Sequence, residues 1–286
     1  MKALQKTAIS AAAVALLTGL TSVAVFAEEA AAPEVSPITA NVTVASSYVY
    51  RGLTQTNNKP AIQGGFDYAH ESGLYVGNWN SNISWISDGY AGNGTPSAPI
   101  EMDFYGGIKK ELIGEGFASD LGVLQYYYPT TGLAGISKSA TLVGSTRQSS
   151  GVTPSTTEIY AAQNFTFGPV TGFAKVSYAL TNLFGIANSS GSYYPDLTVN
   201  YDTGMYGVTA NAHFGYQYVP NDVQGWKMSY ADWKFGLTKD FGGGVSGAVA
   251  YTGTNISKAG NSFVYYTPNG GSMGRGTGIV SLTKAF

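Results

Sequence analysis

Long segments that alternate residue by residue between apolar and polar constrain this chain more than anything else in it. Ile100, Met102, Phe104, Gly106 and Ile108 form one face, interleaved with Glu101, Asp103, Tyr105 and Lys109. Ala231, Trp233, Phe235 and Leu237 oppose Asp232, Lys234 and Thr238. Tyr206, Val208, Ala210, Ala212, Phe214 and Tyr216 oppose Thr209, Asn211, His213 and Gln217, and Leu197, Val199 and Tyr201 oppose Asp196, Thr198 and Asn200. A period of two in β-branched and aromatic residues is the signature of a strand. These runs last roughly 10 to 14 residues. Strands in soluble proteins centre on about 5 to 6 residues, whereas tilted strands that cross a membrane need about 9 to 11.

Twelve such segments are predicted, starting near Thr39, Pro60, Leu74, Ile100, Ser119, Thr157, Val170, Tyr193, Met205, Met228, Gly244 and Gly276. Long and short connections alternate between them. The short ones carry turn residues, as in His70-Glu71-Ser72-Gly73, Gly168-Pro169, Asp202-Thr203-Gly204 and Gly242-Gly243. Glu111 to Ala118 is the loosest of them. Outer-membrane barrels combine an even strand number, short periplasmic turns and long outer loops. The expected fold is therefore all-β: a closed antiparallel transmembrane β-barrel of about twelve strands over residues 39–286. Closure has a plain cause, since an unpaired backbone amide in hydrocarbon costs several kcal/mol. A soluble β-sandwich is the alternative, but it needs polar outer faces.

Composition narrows the classes. Charged residues make up 11% of the 286, against about 25% in an average soluble domain. Without Cys there is no disulfide, thiolate metal site or catalytic thiol. No basic excess exists to bind nucleic acid. Residues 1–27 read as a signal peptide, with Lys2 and Lys6 ahead of an apolar stretch and Val25-Phe26-Ala27 as the cleavage site. Residues 28–38 read as a flexible lead-in. Removal of the leader takes the formal net charge from −2 to −4.

The outward phase puts Tyr68, Phe167, Tyr201 and Phe286 at the periplasmic ends, and Tyr127, Tyr178, Tyr193, Tyr216, Tyr218 and Tyr230 at the outer ends. Aromatic girdles of this kind mark both interfaces of membrane barrels. Phe286 closes a terminal alternation (Gly278, Val280, Leu282) of the kind that the barrel-assembly machinery recognises. Lys284 departs from it by sharing the outward phase, where a lysine can snorkel.

The inward phase collects Arg51, Asp67, Glu101, Asp103, Lys109, Glu158, Lys175, Asp196, His213, Asp232 and Lys234 as the expected pore lining. The acids outnumber the bases, which predicts a mild cation preference. The alternative is internal ion pairing that plugs the barrel, because twelve strands fall between filled eight-stranded barrels and open sixteen-stranded ones. Enzymatic readings are thin. Of the two histidines, His70 sits in a turn, and His213 is a hydrolase candidate only beside a serine and a carboxylate. The Gly270–Gly278 stretch lacks a phosphate loop's Lys-Ser/Thr. No cofactor or metal is expected. The Ser/Thr/Gly-rich stretches Asn182–Ser192 and Thr130–Thr156 are expected to be solvated loops.

Ser47-Ser-Tyr-Val-Tyr-Arg51-Gly52, Lys59-Pro60-Ala-Ile-Gln63-Gly64-Gly65-Phe-Asp67-Tyr, Gly73-Leu-Tyr-Val-Gly-Asn-Trp79-Asn-Ser81-Asn and Glu101-Met-Asp-Phe-Tyr105-Gly106-Gly107 resemble the opening of the TorF-type porins, a proteobacterial family of uncertain function. The match runs from about Asn41 to Lys110, with the terminal Phe in addition. It implies an outer-membrane barrel and a pore, and it carries over neither a substrate nor catalytic residues. The expected function is passive diffusion of small polar solutes or ions through the outer membrane of a Gram-negative bacterium. The rival is a non-conducting barrel that acts through its outer loops. Expected partners are outer-membrane lipids, the barrel-assembly machinery and the solutes themselves, with no nucleic acid.

Overall fold

The structure, a computed structural model, describes residues 36–89, 97–131, 152–221 and 226–286. The expected signal peptide, most of the lead-in and most of the Thr130–Thr156 loop lie outside these residues. Twelve strands form the barrel: β1 (Ile38–Ala45), β2 (Ala61–Ala69), β3 (Leu74–Asn82), β4 (Ile100–Gly114), β5 (Phe117–Tyr127), β6 (Thr156–Phe167), β7 (Val170–Ala179), β8 (Tyr193–Asp202), β9 (Val208–Gln217), β10 (Tyr230–Gly242), β11 (Val245–Thr254) and β12 (Thr277–Ala285). Each pairs antiparallel with its sequence neighbours, and β1 pairs with β12 to close the ring. Asn41 faces Ala285 and Ala45 faces Ser281 across that seam. The Phe286 amide extends it by donating to the Ala40 carbonyl at 2.9 Å.

Alternation decides which way each strand turns. Val44, Ile62, Phe66, Val76, Leu121, Leu197, Phe214, Phe235, Val249 and Leu282 are each about half exposed on the outer surface. A continuous apolar band of this kind is rare on a soluble monomer and matches the hydrocarbon band of a membrane barrel. Tyr68, Tyr127, Tyr178, Tyr193, Tyr201, Tyr216, Phe167 and Phe286 are exposed towards the strand ends. Tyr218 stacks on Tyr193 at 4.6 Å between centroids. Lys284 holds the outward phase as expected, and its Nζ donates to the Gly243 carbonyl at 2.5 Å beside the last short turn.

Three expectations change. Glu111 to Ala118 is no eight-residue turn: β4 runs on to Gly114, the register slips between Glu111 and Gly114, and β5 begins at Phe117. The longer ladder satisfies backbone groups that a loose loop would leave to water. Tyr230 is buried instead of girdling the barrel, because it shares the inward phase of Asp232 and Lys234, and its hydroxyl donates to the Arg51 carbonyl at 2.9 Å inside. The Asn182–Ser192 loop is only partly solvated. Leu183, Phe184 and Ile186 turn inward and are buried, and Ser189 Oγ accepts from the Leu183 amide at 2.7 Å.

The filled part of the lumen demands glycine at close approaches. A Cβ on Gly122 would run into the Tyr160 ring and come within 2.9 Å of the Gly106 carbonyl. Gly122→Ala is expected to cost about 1–3 kcal/mol, as overpacking does. A lower midpoint for the heat-induced gel shift of the folded barrel would show it.

Candidate functional site

The site begins with the connection between β1 and β2. Val49–Tyr50 pairs with Leu53–Thr54, and the two residues between, Arg51 and Gly52, have φ of 44° and 74°. Positive φ at both central positions is the type I′ turn, which favours glycine second. This hairpin does not project from the barrel but crosses its lumen. The Arg51 guanidinium donates to Glu158 Oε1 at 3.0 Å and Oε2 at 2.7 Å on β6, and to Gln217 Oε1 at 2.7 Å on β9. It lies 4.2 Å from the centroid of the Tyr194 ring on β8. Gly52 packs against Asp232 and Thr254 on β10 and β11. A left-handed backbone at a non-glycine residue costs of order 1–3 kcal/mol. The two-pronged ion pair and the ring below it hold Arg51 there.

Above the hairpin, towards the end with the long connections, an apolar cap closes the barrel. It is built from Leu53, Ile86, Leu183, Ile186, Val264, Tyr265 and Met273, all buried. Ile86 belongs to a short helix, α1 (Trp85–Gly89). Backbone hydrogen bonds tie the cap together, from the Thr54 amide to the Met273 carbonyl at 2.9 Å and from the Ser84 amide to the Gln55 carbonyl at 2.9 Å.

Below and beside the hairpin the lumen divides in two. On the wall of β2 to β6 inward tyrosines meet carboxylates. Tyr105 donates to Asp67 at 2.5 Å, Tyr75 to Asp120 at 2.6 Å, and Tyr48 and Tyr128 to the two oxygens of Glu101 at 2.5 and 2.6 Å. Tyr160 hydrogen-bonds to Tyr75. Trp79 and Tyr126 fill the remaining space. Asp103 is buried on the same wall, and Lys109 faces Asp120 in the register of β4 and β5. These side chains are buried and crowd that half of the lumen.

The wall of β7 to β12 and β1 is lined by smaller side chains. Asn41, Asn200, Asn211, Ser246, Ala248 and Thr283 point inward and are partly exposed. A cavity of about 80 Å³ lies between this wall and the hairpin and is bordered by Arg51, Lys175, Tyr194, Asp196, His213, Asp232 and Lys234. His213 Nδ1 is 3.0 Å from Asp196 Oδ1, and Nε2 is 2.9 Å from Asp232 Oδ1. Lys175 lies 3.8 Å from Asp196, and Tyr194 donates to Asp232 Oδ2 at 2.8 Å.

All eleven residues expected to line the pore thus have inward positions, but they serve different ends. Six of them surround the cavity: Arg51, Lys175, Asp196, His213, Asp232 and Lys234. Asp67, Glu101, Asp103, Lys109 and Glu158 are buried in the packed half or in the ion pair. A count of lumen charges therefore does not support a cation preference, because four of the six acids are buried in the packed half or in the ion pair. Asp120, outside the expected set, has the inward phase on β5, opposite Leu121, and is buried. The inward tyrosines 75, 126, 160 and 194 were equally legible by phase. The hydrolase constellation is not assembled at His213. Its hydroxyl neighbours are Thr198, 3.2 Å from Nδ1, and Tyr194, 3.1 Å from Nε2, and both ring nitrogens already face carboxylates.

A closed twelve-stranded antiparallel barrel with an apolar exterior and a polar interior defines the outer-membrane class of β-barrels. Within it the chain belongs to the bacterial family Gcw_chp, described as of unknown function, whose profile matches residues 27–286. That match does not reach the narrower TorF-type resemblance. The fold is similar to that of the KdgM porin (TM-score 0.52, 6% identity, 87% of this chain and 99% of that one). It is also similar to the NanC porin (TM-score 0.50, 9% identity, 87% and 98%). A further match is outer membrane phospholipase A from Escherichia coli (TM-score 0.45, 12% identity, 86% and 91%). At these identities the likeness is one of fold. No curated protein matches the chain by sequence.

Proposed function

We propose that the protein is an outer-membrane channel for passive diffusion of small polar solutes, and that the inserted hairpin is its constriction. One observation carries the reading: small polar side chains on the wall of β7 to β12 stay partly exposed inside the barrel, beside a cavity of about 80 Å³ at the hairpin tip. The mechanism is exclusion by size and electrostatics, with no covalent step. The apolar band and aromatic ends suit the outer membrane of a Gram-negative bacterium. A cleaved leader at Ala27 and recognition of Phe286 by the assembly machinery complete the proposal, as does kinship with the TorF-type porins.

Purified protein in planar bilayers is expected to give stepwise, ohmic currents of small amplitude, because half the lumen is filled. The apolar cap favours a second reading, a barrel that does not conduct and acts through its loop surface. Silent bilayers, with insertion verified by protease protection, would establish that reading and end the first.

A further inference from the structure

Charge pairing around the cavity leaves one group over. Asp196 is met by His213 and Lys175, and Asp232 by His213 and Tyr194. A neutral imidazole has one N–H and one lone pair. With a carboxylate oxygen within 3.0 Å of each nitrogen, only the ring with two N–H groups avoids aiming a lone pair at an anion. Arg51 is spent on Glu158 and Gln217. Lys234 is the remainder. It borders the cavity, it is the register partner of His213 on the neighbouring strand, and among the described residues no carboxylate oxygen lies within 4.0 Å of its ammonium. An ammonium carries three donors, and a cation beside a doubly protonated imidazole calls for an anion.

The cavity also shows what the rest of that anion must be. Ala45, Ala250 and Ile279 border it too, so an apolar patch accompanies the ammonium. Its 80 Å³ hold about five to eight waters, or a solute of a few heavy atoms, at the 10–15 Å³ that one water needs. From this geometry we propose that the cavity is a binding station for a short-chain organic monocarboxylate. The carboxylate accepts from Lys234 Nζ, and the alkyl end rests on Ala45, Ala250 and Ile279. The proposal deepens the channel reading by naming a solute class for the same lumen, and it rests on that reading only for how the solute arrives.

Saturation-transfer NMR with sodium propionate on the detergent-solubilised full-length protein tests it. Saturable transfer to the propionate methyl group is expected. Lys234→Gln should weaken it at least about tenfold, as loss of a charge-assisted hydrogen bond does, and Lys234→Arg should retain it. Ala250→Leu fills the apolar side and should abolish binding with Lys234 in place, which keeps the test open if Lys234→Gln fails to fold. No saturable signal, or an unchanged affinity in Lys234→Gln, overturns the site. Inorganic phosphate that displaces propionate at equal concentration overturns the carboxylate class. Binding does not depend on current, so the two readings fail separately. Propionate binding with silent bilayers sinks the channel, and conduction without binding sinks the station.

Discussion

Replacing Arg51 and Glu158 together by alanine is expected to raise the single-channel conductance severalfold. The guanidinium and the carboxylate form the one ion pair described at the hairpin tip, at 2.7 Å, and add to the Gln217 and Tyr230 hydrogen bonds that hold it across the lumen. Removing both leaves no charge stranded. Removing one does. Breaking a buried ion pair costs about 3–5 kcal/mol, because the survivor stays desolvated without its partner. Glu158→Ala alone should therefore be less stable to urea than the double variant, although it deletes fewer contacts. Conductance is read in planar bilayers and stability by urea titration in micelles. Equal stabilities would mean that water already reaches the pair, and an unchanged conductance would remove the hairpin as the constriction.

A charge placed on the outer face should produce the second large effect. Leu237 lies in β10 on the apolar band and is half exposed. Leu237→Arg is expected to cost about 2–4 kcal/mol in lipid, the range for a cation near the bilayer midplane. Thr238 is its neighbour on the opposite face, where it donates to Asn211 at 2.8 Å. Thr238→Asn should cost no more than about 1 kcal/mol, since a polar lumen position accepts a polar side chain. Lys284 shows the tolerated form of an outward cation, placed where its ammonium reaches a turn carbonyl. Urea titration in liposomes measures both variants. Similar costs on the two faces would refute the assignment of the band to lipid.

Period-two alternation made the barrel legible residue by residue. A strand's side-chain phase is a local property, and burial on one face only makes register unforgiving. The observed strands begin within a few residues of the expected starts, as with Leu74, Ile100, Val170 and Tyr193. The same phase put His213, Asp196 and Lys234 on one wall without any knowledge of their contacts. Tyr230 obeys the same rule: it shares the inward phase of Asp232 and Lys234 and lies opposite Gln217 in the ladder, so its place is inside the barrel and not in the girdle. Phase says nothing where the chain leaves the ladder, as at Leu183 and Ile186, whose burial no alternation marks.

By itself, then, the sequence determined the class of fold, the strand number and the inward set, because each depends on neighbours one or two residues away. Tertiary structure alone decided what the lumen holds. The turn at Arg51 and Gly52 could have stood in solvent. It lies across the lumen because Glu158, Gln217 and Tyr194, brought near only by ring closure, outbid water for the guanidinium. The Asn182–Ser192 loop looked polar by composition, yet Leu183 and Ile186 are drawn into a cap that several other loops supply. Such pairings join residues more than a hundred positions apart, as Arg51 and Glu158 are, and no local period can encode them.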